Sequence, residues 1–277
     1  MANRNYEARK FELNAVQNTV DALTVEEALQ ININGKAFTV TMRTPGDDVN
    51  LVRGLLHAEN IICDAAFNPN ILLKKENENG IVTIVDVKIP DDKLGDGYAN
   101  KRSLLSVSSC GICGKSELSD LSFIGKTIDD AKKIEVSLLT TMFSQMNKHQ
   151  FSFKQSGGTH AAAIFNLNGK LLSVMEDIGR HNAVDKAVGN LIHSHQLKEA
   201  AVLTVSGRIS YEIIIKCFKA KIPVIAAVSA PSSLAVDYAK ELGITLFAFC
   251  RNHRATCYAH PERIKNNTIA LEANKVS

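Results

Sequence analysis

No stretch of the 277 residues approaches the roughly 20 consecutive apolar positions that a membrane-spanning helix requires. The opening stretch, Met1 to Glu12, is polar and charged and lacks the apolar core of a secretory signal. An excess of one charge is missing too, with 32 Lys and Arg against 29 Asp and Glu, a net +3. That gives no general attraction to nucleic acid, although local clusters can still hold a smaller anion. These absences predict a cytoplasmic protein that engages neither membrane nor nucleic acid. What remains, 45% hydrophobic and 22% charged residues, suits a globular chain long enough for one large or two modest domains.

The six cysteines are Cys63, Cys110, Cys113, Cys217, Cys250 and Cys257. A reducing cytoplasm argues against structural disulfides. A four-cysteine zinc site would need a second close pair, but Cys250 and Cys257 are 7 apart, and no histidine pair follows at finger spacing. Cys63, Cys217 and Cys250 lie in apolar surroundings and are expected to be small buried hydrophobes. The exception is Ser108-Ser109-Cys110-Gly111-Ile112-Cys113-Gly114-Lys115, where two thiols sit among small, flexible residues. Such a pair can cycle between dithiol and disulfide, hold half of a zinc site, or carry sulfur as a persulfide. Gly114-Lys115-Ser116 imitates the tail of a phosphate-binding P-loop, but Ser109 stands where its first glycine belongs. The chain after the pair, Ser116 to Lys126, is too polar and irregular for a thioredoxin helix. A sulfur carrier needs instead a flexible loop that presents a thiolate to a donor and swings the persulfide to an acceptor. The Gly- and Ser-flanked pair suits that.

Residues 1–23 show no strong period and are expected as a flexible leader. Residues 24–127 read as a β-rich α+β domain carrying the Cys-x-x-Cys loop. Within it, Ala28 to Met42 alternates apolar and polar around Asn34-Gly35, a hairpin signature. Thr44-Pro45-Gly46-Asp47-Asp48 then stops the strand and caps a helix from Val49 to Glu59, with strands following at Ile71–Leu73 and Ile81–Val87. Residues 128–277 change rhythm, and their order α-β-β-α-β-α-β-α-β predicts a largely parallel, three-layer α/β/α sheet of the cytidine-deaminase-like kind.

Ligands of such sheets collect where strands end and helices begin, because loose backbone amides and the helix dipole face the crevice there. Four stretches occupy these junctions and nearby loops: Ser156-Gly157-Gly158-Thr159-His160, Glu176-Asp177-Ile178-Gly179-Arg180-His181-Asn182, Ser206-Gly207-Arg208, and Phe249-Cys250-Arg251-Asn252-His253-Arg254. Zinc deaminases of this fold place H-x-E at the second helix and P-C-x-x-C at the third. Here His181-Asn182-Ala183 lacks the glutamate and Ser206-Gly207-Arg208-Ile209-Ser210 lacks a thiol, so that chemistry is not expected; a zinc hydrolase would have to hold stoichiometric zinc. Plainer readings stand beside the functional ones. Arg180 and Arg208 also suit solvated or structural ion pairs, and His160 a buried hydrogen-bonding residue. Asp185 and Lys186 read as an exposed helical pair, and His193 and His195 as a solvated helix end.

Together, Ser109-Cys110-Gly111-Ile112-Cys113-Gly114, the Ser156–His160 stretch, the block from Glu176 to Lys186 and Ser206-Gly207-Arg208-Ile209-Ser210 resemble the FdhD/NarQ family of formate dehydrogenase accessory proteins. The likeness runs from about Glu26 to Ile264, with Thr44–Asp48 and Tyr258–Arg263 fitting as well. It implies a sulfur carrier that accepts sulfur from a cysteine desulfurase as a persulfide on Cys110, with Cys113 as its partner. The acceptor it implies is the molybdenum (or tungsten) cofactor, bis-molybdopterin guanine dinucleotide, destined for formate dehydrogenase. It further implies a homodimer, no zinc, and cofactor contacts from Phe249, Cys250, Arg251, Asn252, His253 and Arg254. Ser156 departs from the family's usual Thr, and Asn252 and Thr256 replace residues often Gly and Asn. A guanine dinucleotide is an anion with a planar base, which suits helix N-termini and Arg180, Arg208, Arg251 and Arg254. Gly157 and Gly158 are expected to allow close backbone approach and Asp177 to accept from a guanine edge, with His160, His181, Ser206 and Gly207 completing the pocket. The other reading is an escort that binds cofactor and delivers it without sulfur chemistry.

Overall fold

Asn3–Glu12 (β1) and Ala15–Thr24 (β2) pair antiparallel in unbroken register, from Asn3↔Thr24 to Glu12↔Ala15, where the sequence predicts an irregular leader. Their alternation is blurred because both faces of this two-stranded ribbon meet solvent. Phe11, Leu13, Val16 and Val20 are exposed among charged neighbours. The ribbon is tied to the body at its base, where Val25 N donates to the Ala2 carbonyl and Thr24 Oγ1 lies 2.6 Å from Ser156 Oγ. This computed structural model describes residues 2–62, 64, 66–99, 127–129 and 133–265, so Cys63, Cys110 and Cys113 fall outside the described residues.

Glu27–Ile33 (β3), Lys36–Arg43 (β4), Asn70–Glu76 (β5) and Val82–Lys88 (β6) form a sheet in the order β4-β3-β6-β5. Asn34 and Gly35 both take positive φ (51° and 80°), the two-residue turn that the Asn-Gly signature predicts. One face is closed by helix α1 (Asp48–Ala58), whose Leu51, Val52 and Leu56 pack on Leu29, Ile31, Val85 and Val87. Asp47 stands at the N-cap of α1 in a left-handed conformation and makes no side-chain cap bond. A single turn, α2 (Asp96–Ala99), follows β6.

The second sheet has the order β12-β11-β10-β9-β7-β8. Its strands are His160–Phe165 (β7), Leu171–Asp177 (β8), Val202–Val205 (β9), Val224–Ala227 (β10), Thr245–Arg251 (β11) and Arg254–Ala259 (β12). β7 runs antiparallel to both β8 and β9, while β9, β10 and β11 are parallel and β12 returns antiparallel. Helix α3 (Ser137–Lys148) covers one face through Leu139, Met142, Phe143 and Met146, and a short helix, α4 (Phe151–Ser156), follows it. Helices α5 (Arg180–His193), α6 (Tyr211–Lys219) and α7 (Ser233–Glu241) cover the other. The architecture is α/β, in three layers. No helix among the described residues is long and apolar enough to cross a membrane.

The two sheets are joined through α1 and α5, which meet backbone to backbone. At the far end of that joint His57, partly buried on α1, directs Nε2 to the Lys219 carbonyl at the end of α6 (3.0 Å). Burial pushes its pKa down to about 4, with Arg53, Lys219 and Lys221 adding to the effect and the Lys219 carbonyl opposing it. An unfolded histidine titrates near 6.5. Between pH 6.5 and 4 the unfolded chain therefore binds the extra proton, and stability present above pH 6.5 drains away as pH falls to 4. The expected loss is at most about 3 kcal/mol from this group, and His57→Gln should flatten that limb in urea titrations at pH 7, 5.5 and 4.5. An unchanged slope in the variant would place the acid sensitivity elsewhere.

Candidate functional site

Because β7 is reversed, its first residue meets the last residues of its neighbours. Asp177 (end of β8), His160 (start of β7) and Ser206 (after β9) stand side by side at one edge of the sheet, with Ser229 (after β10) and Phe249 (in β11) continuing the row. This edge is where α5 and α6 begin. The loop Ser206–Ser210 is stapled there to the loop after β10, with Ile209 N donating to Ala230 O and Ser232 N to Ile209 O.

Two cationic groups of residues mark the edge. In the first, Gly207 leaves room for its neighbours: a Cβ there would stand 3.2 Å from His160 Nδ1 and 3.6 Å from Arg180 Cβ. Burial holds the half-buried His160 below the ordinary histidine range, and Arg180 and Arg208 reinforce this against an opposing Asp177. The shift favours the neutral ring, in a positive local field. Arg180 Nε is buried and has no hydrogen-bond partner among the described residues, while Arg208 is exposed. In the second, Arg251 and Arg254 face each other across the β11–β12 hairpin, both exposed. Like charges directly opposite are destabilising, and an anion between them relieves that. Among the described residues none of these four arginines forms an ion pair with a carboxylate.

Phe249 takes φ 54°, uncommon for a bulky side chain, at an irregularity between Ala248 and Arg251. This turns its ring outward, 39% exposed, while Cys250 turns inward. Cys250 sits in the core cluster with Val224 and Phe247, and burial raises its thiol to about 12. It is a small buried hydrophobe, as its apolar neighbours in the sequence predict. Cys217 is likewise buried, its thiol raised by burial and donating to the Ile222 carbonyl. Asn252 and His253 are the two left-handed corner residues of the hairpin turn, exposed at its tip.

Asp177 does not reach the crevice as expected. It is fully buried, and its carboxylate already accepts from Thr44 N (3.1 Å), Gly179 N (2.8 Å), Asn182 Nδ2 (3.1 Å) and Lys186 Nζ (2.8 Å). Lys186 also donates to the Thr44 carbonyl, and the Thr44 hydroxyl accepts from Ile178 N. Thr44, from the first sheet, thus braces the loop that sets the start of α5. Asp185 and Lys186 are correspondingly no exposed pair. Asp185 is fully sequestered against Lys216 of α6 (2.8 Å), and burial pushes its carboxyl up.

Gly157 and Gly158 have reasons other than ligand approach. Gly157 terminates α4 with φ 66°, and a Cβ on Gly158 would press against Thr24 Oγ1 of the ribbon at 2.7 Å. Ser206 Oγ accepts from Ala161 N, continuing the β7–β9 ladder. His193 is not simply solvated: its Nε2 is buried, though His195 is exposed.

Two residues had no role in the sequence reading. Ser210 occupies the N-cap of α6 without capping it; its hydroxyl lies 3.1 Å from His181 Nε2 instead. Glu212 Oε2 is 3.7 Å from the same nitrogen, too long for a hydrogen bond but close enough to matter electrostatically. The nearby His181 ring lowers the Glu212 carboxyl, against the opposing effect of burial. A serine at an N-cap carried this signal, but its usual reading is the cap itself.

Residues 24–265 match the FdhD/NarQ family. The sulfur carrier protein FdhD of Streptomyces avermitilis is 41% identical over 93% of this chain and 94% of its own. That of Sulfolobus acidocaldarius is 39% identical over 88% and 91%. A crystal structure described as a formate dehydrogenase accessory protein from Desulfotalea psychrophila superposes with a TM-score of 0.76, covering 96% of this chain and all of the other at 22% identity. That last likeness concerns the fold. With the match extending over both sheets and every stretch of the edge described above, the chain belongs to the FdhD/NarQ family.

Proposed function

We propose that this protein is a cytoplasmic sulfur carrier in formate dehydrogenase maturation, working as a homodimer. Cys110 takes sulfur from a cysteine desulfurase as a persulfide, with Cys113 as its partner, and passes it to bis-molybdopterin guanine dinucleotide held as substrate at the crevice. Full-length relatives named sulfur carriers at about 40% identity support the sulfur role. The observation that carries the cofactor role is the edge of four arginines without carboxylate partners among the described residues, next to an outward-turned Phe249 ring. Phosphates match the guanidinium groups and a planar base matches the ring. The second sheet is read as cytidine-deaminase-like, which its single reversed strand between β8 and β9 supports.

The test is intact-protein mass after incubation with a cysteine desulfurase and cysteine. Wild type is expected to gain about one sulfur atom, reversibly by reductant, and Cys110→Ala none. No added mass on wild type would overturn the sulfur role and leave an escort that only binds and delivers cofactor.

A further inference from the structure

An isolated two-stranded hairpin is marginal in water, yet the β1–β2 ribbon holds ten residue pairs in unbroken register. Of the eleven large apolar side chains exposed among the described residues, six lie on this ribbon and two, Phe151 and Phe153, on α4 at its base. Single exposed hydrophobes need no explanation, but such a concentration marks a surface that something covers.

Residues directly opposite in an antiparallel pair share a face. One face of the ribbon carries Phe11 with Val16 at the tip, then Arg9, then Glu7 with Val20, and Asn3 with Thr24 at the base. Helix α4 sits on this same face, because the Asn3 side chain bonds those of Gln155 and Ser152, and Thr24 meets Ser156. The face is therefore apolar at its tip, charged in its middle, and bordered by Phe151 and Phe153 at its base. On the opposite face Lys10 and Glu12 pair with each other at 2.9 Å. Glu7 and Arg9 form no ion pair among the described residues.

We propose that this face is the surface through which two copies of the chain associate. The two ribbons lie face to face and antiparallel, about a two-fold axis that crosses between Arg9 and Glu7. This rests on the homodimer reading and names its interface. A two-fold interface has to be complementary to itself, and this pattern is. The axis sets Arg9 against the partner's Glu7 and Glu7 against the partner's Arg9. It also carries each apolar tip, Phe11 and Leu13, to the base of the other ribbon, where the partner's Phe151 and the partner's Phe153 are exposed. Parallel ribbons would instead lay Arg9 over the partner's Asn18, leaving both charges unanswered and both bases bare.

The experiment is sedimentation equilibrium of the intact chain over a range of concentrations, with circular dichroism to confirm folding. Wild type is expected to dimerise. Phe11→Ser combined with Val16→Ser should raise the dissociation constant about a hundredfold, and Arg9→Glu, which sets like charges together, about tenfold. The exchange Glu7→Arg, Arg9→Glu should restore association, which a merely unfolded ribbon would not do. A dimer that none of the variants weakens, or an Arg9→Glu defect that the exchange does not repair, overturns the proposal and leaves the homodimer to another surface. A wild type that stays monomeric throughout overturns the homodimer reading together with the proposal, and leaves the face to a different protein such as the dehydrogenase. Neither result bears on sulfur transfer, which the mass measurement on Cys110 reads separately.

Discussion

Lys186→Met lowers the melting temperature by about 6–12 °C, the shift that a loss of about 3 kcal/mol gives in a chain of this size. The residue is 1% exposed and its ammonium bonds Asp177, itself fully buried, at 2.8 Å. Removing one partner of a buried pair costs about 3–5 kcal/mol because the other charge stays inside without its counterion. The lower end applies here. Asp177 keeps three donors after the substitution, Thr44 N, Gly179 N and Asn182 Nδ2. The double variant Asp177→Asn, Lys186→Met should recover a good part of the loss, since the orphaned charge goes with the ammonium. Equal melting temperatures for wild type and Lys186→Met would show that the pair contributes nothing net. A thermal scan read by circular dichroism decides it.

The same network shows where the sequence was informative and where it was not. β7, β9, β10 and β11 were legible because each is a buried apolar run between turn signals. β1 and β2 were not, since a ribbon wet on both faces needs no clean alternation. β12 escaped as well, being an edge strand whose Arg254 and Thr256 face water. At the candidate site, Arg180, Arg208, Arg251 and Arg254 stood out by type, because arginine near strand ends suits an anion, and among the described residues none of them pairs with a carboxylate. Asp177 misled because its carboxylate is taken up by four donors, one of which, Thr44 N, lies 133 positions earlier, a contact that no local pattern announces. Cys250 was legible as a small buried hydrophobe from its apolar neighbours, but not the means: a single left-handed residue, Phe249, turns it to the core. Glu212 was invisible because its meaning depends on a histidine from another helix.

Gly189→Ala is the second large effect, and its sign runs against helix propensity. In an exposed helix the change gains about 1 kcal/mol. Here a Cβ on Gly189 would collide with the Asn50 carbonyl of α1 and stand 2.9 Å from Gly54 N, and a Cβ on Gly54 would collide with the Asp185 carbonyl of α5. The obstacles are helix backbones, so no side chain can rotate away; α1 and α5 must separate. Overpacking typically costs about 1–3 kcal/mol, and backbone against backbone belongs at or above the upper end. The expected net loss is about 2–3 kcal/mol, seen as a lowered urea midpoint. Gly54→Ala should behave alike. The two should be markedly less than additive together, because helices parted by one methyl already have space for the other. Separation also draws Thr44, held to Lys186 and Asp177, away from the loop before α5. Nucleotide affinity should therefore fall in these variants although no crevice residue has changed. Additive losses would mean that each glycine answers to its own local strain, and unchanged affinity would mean that the brace on the crevice does not depend on how closely the helices meet.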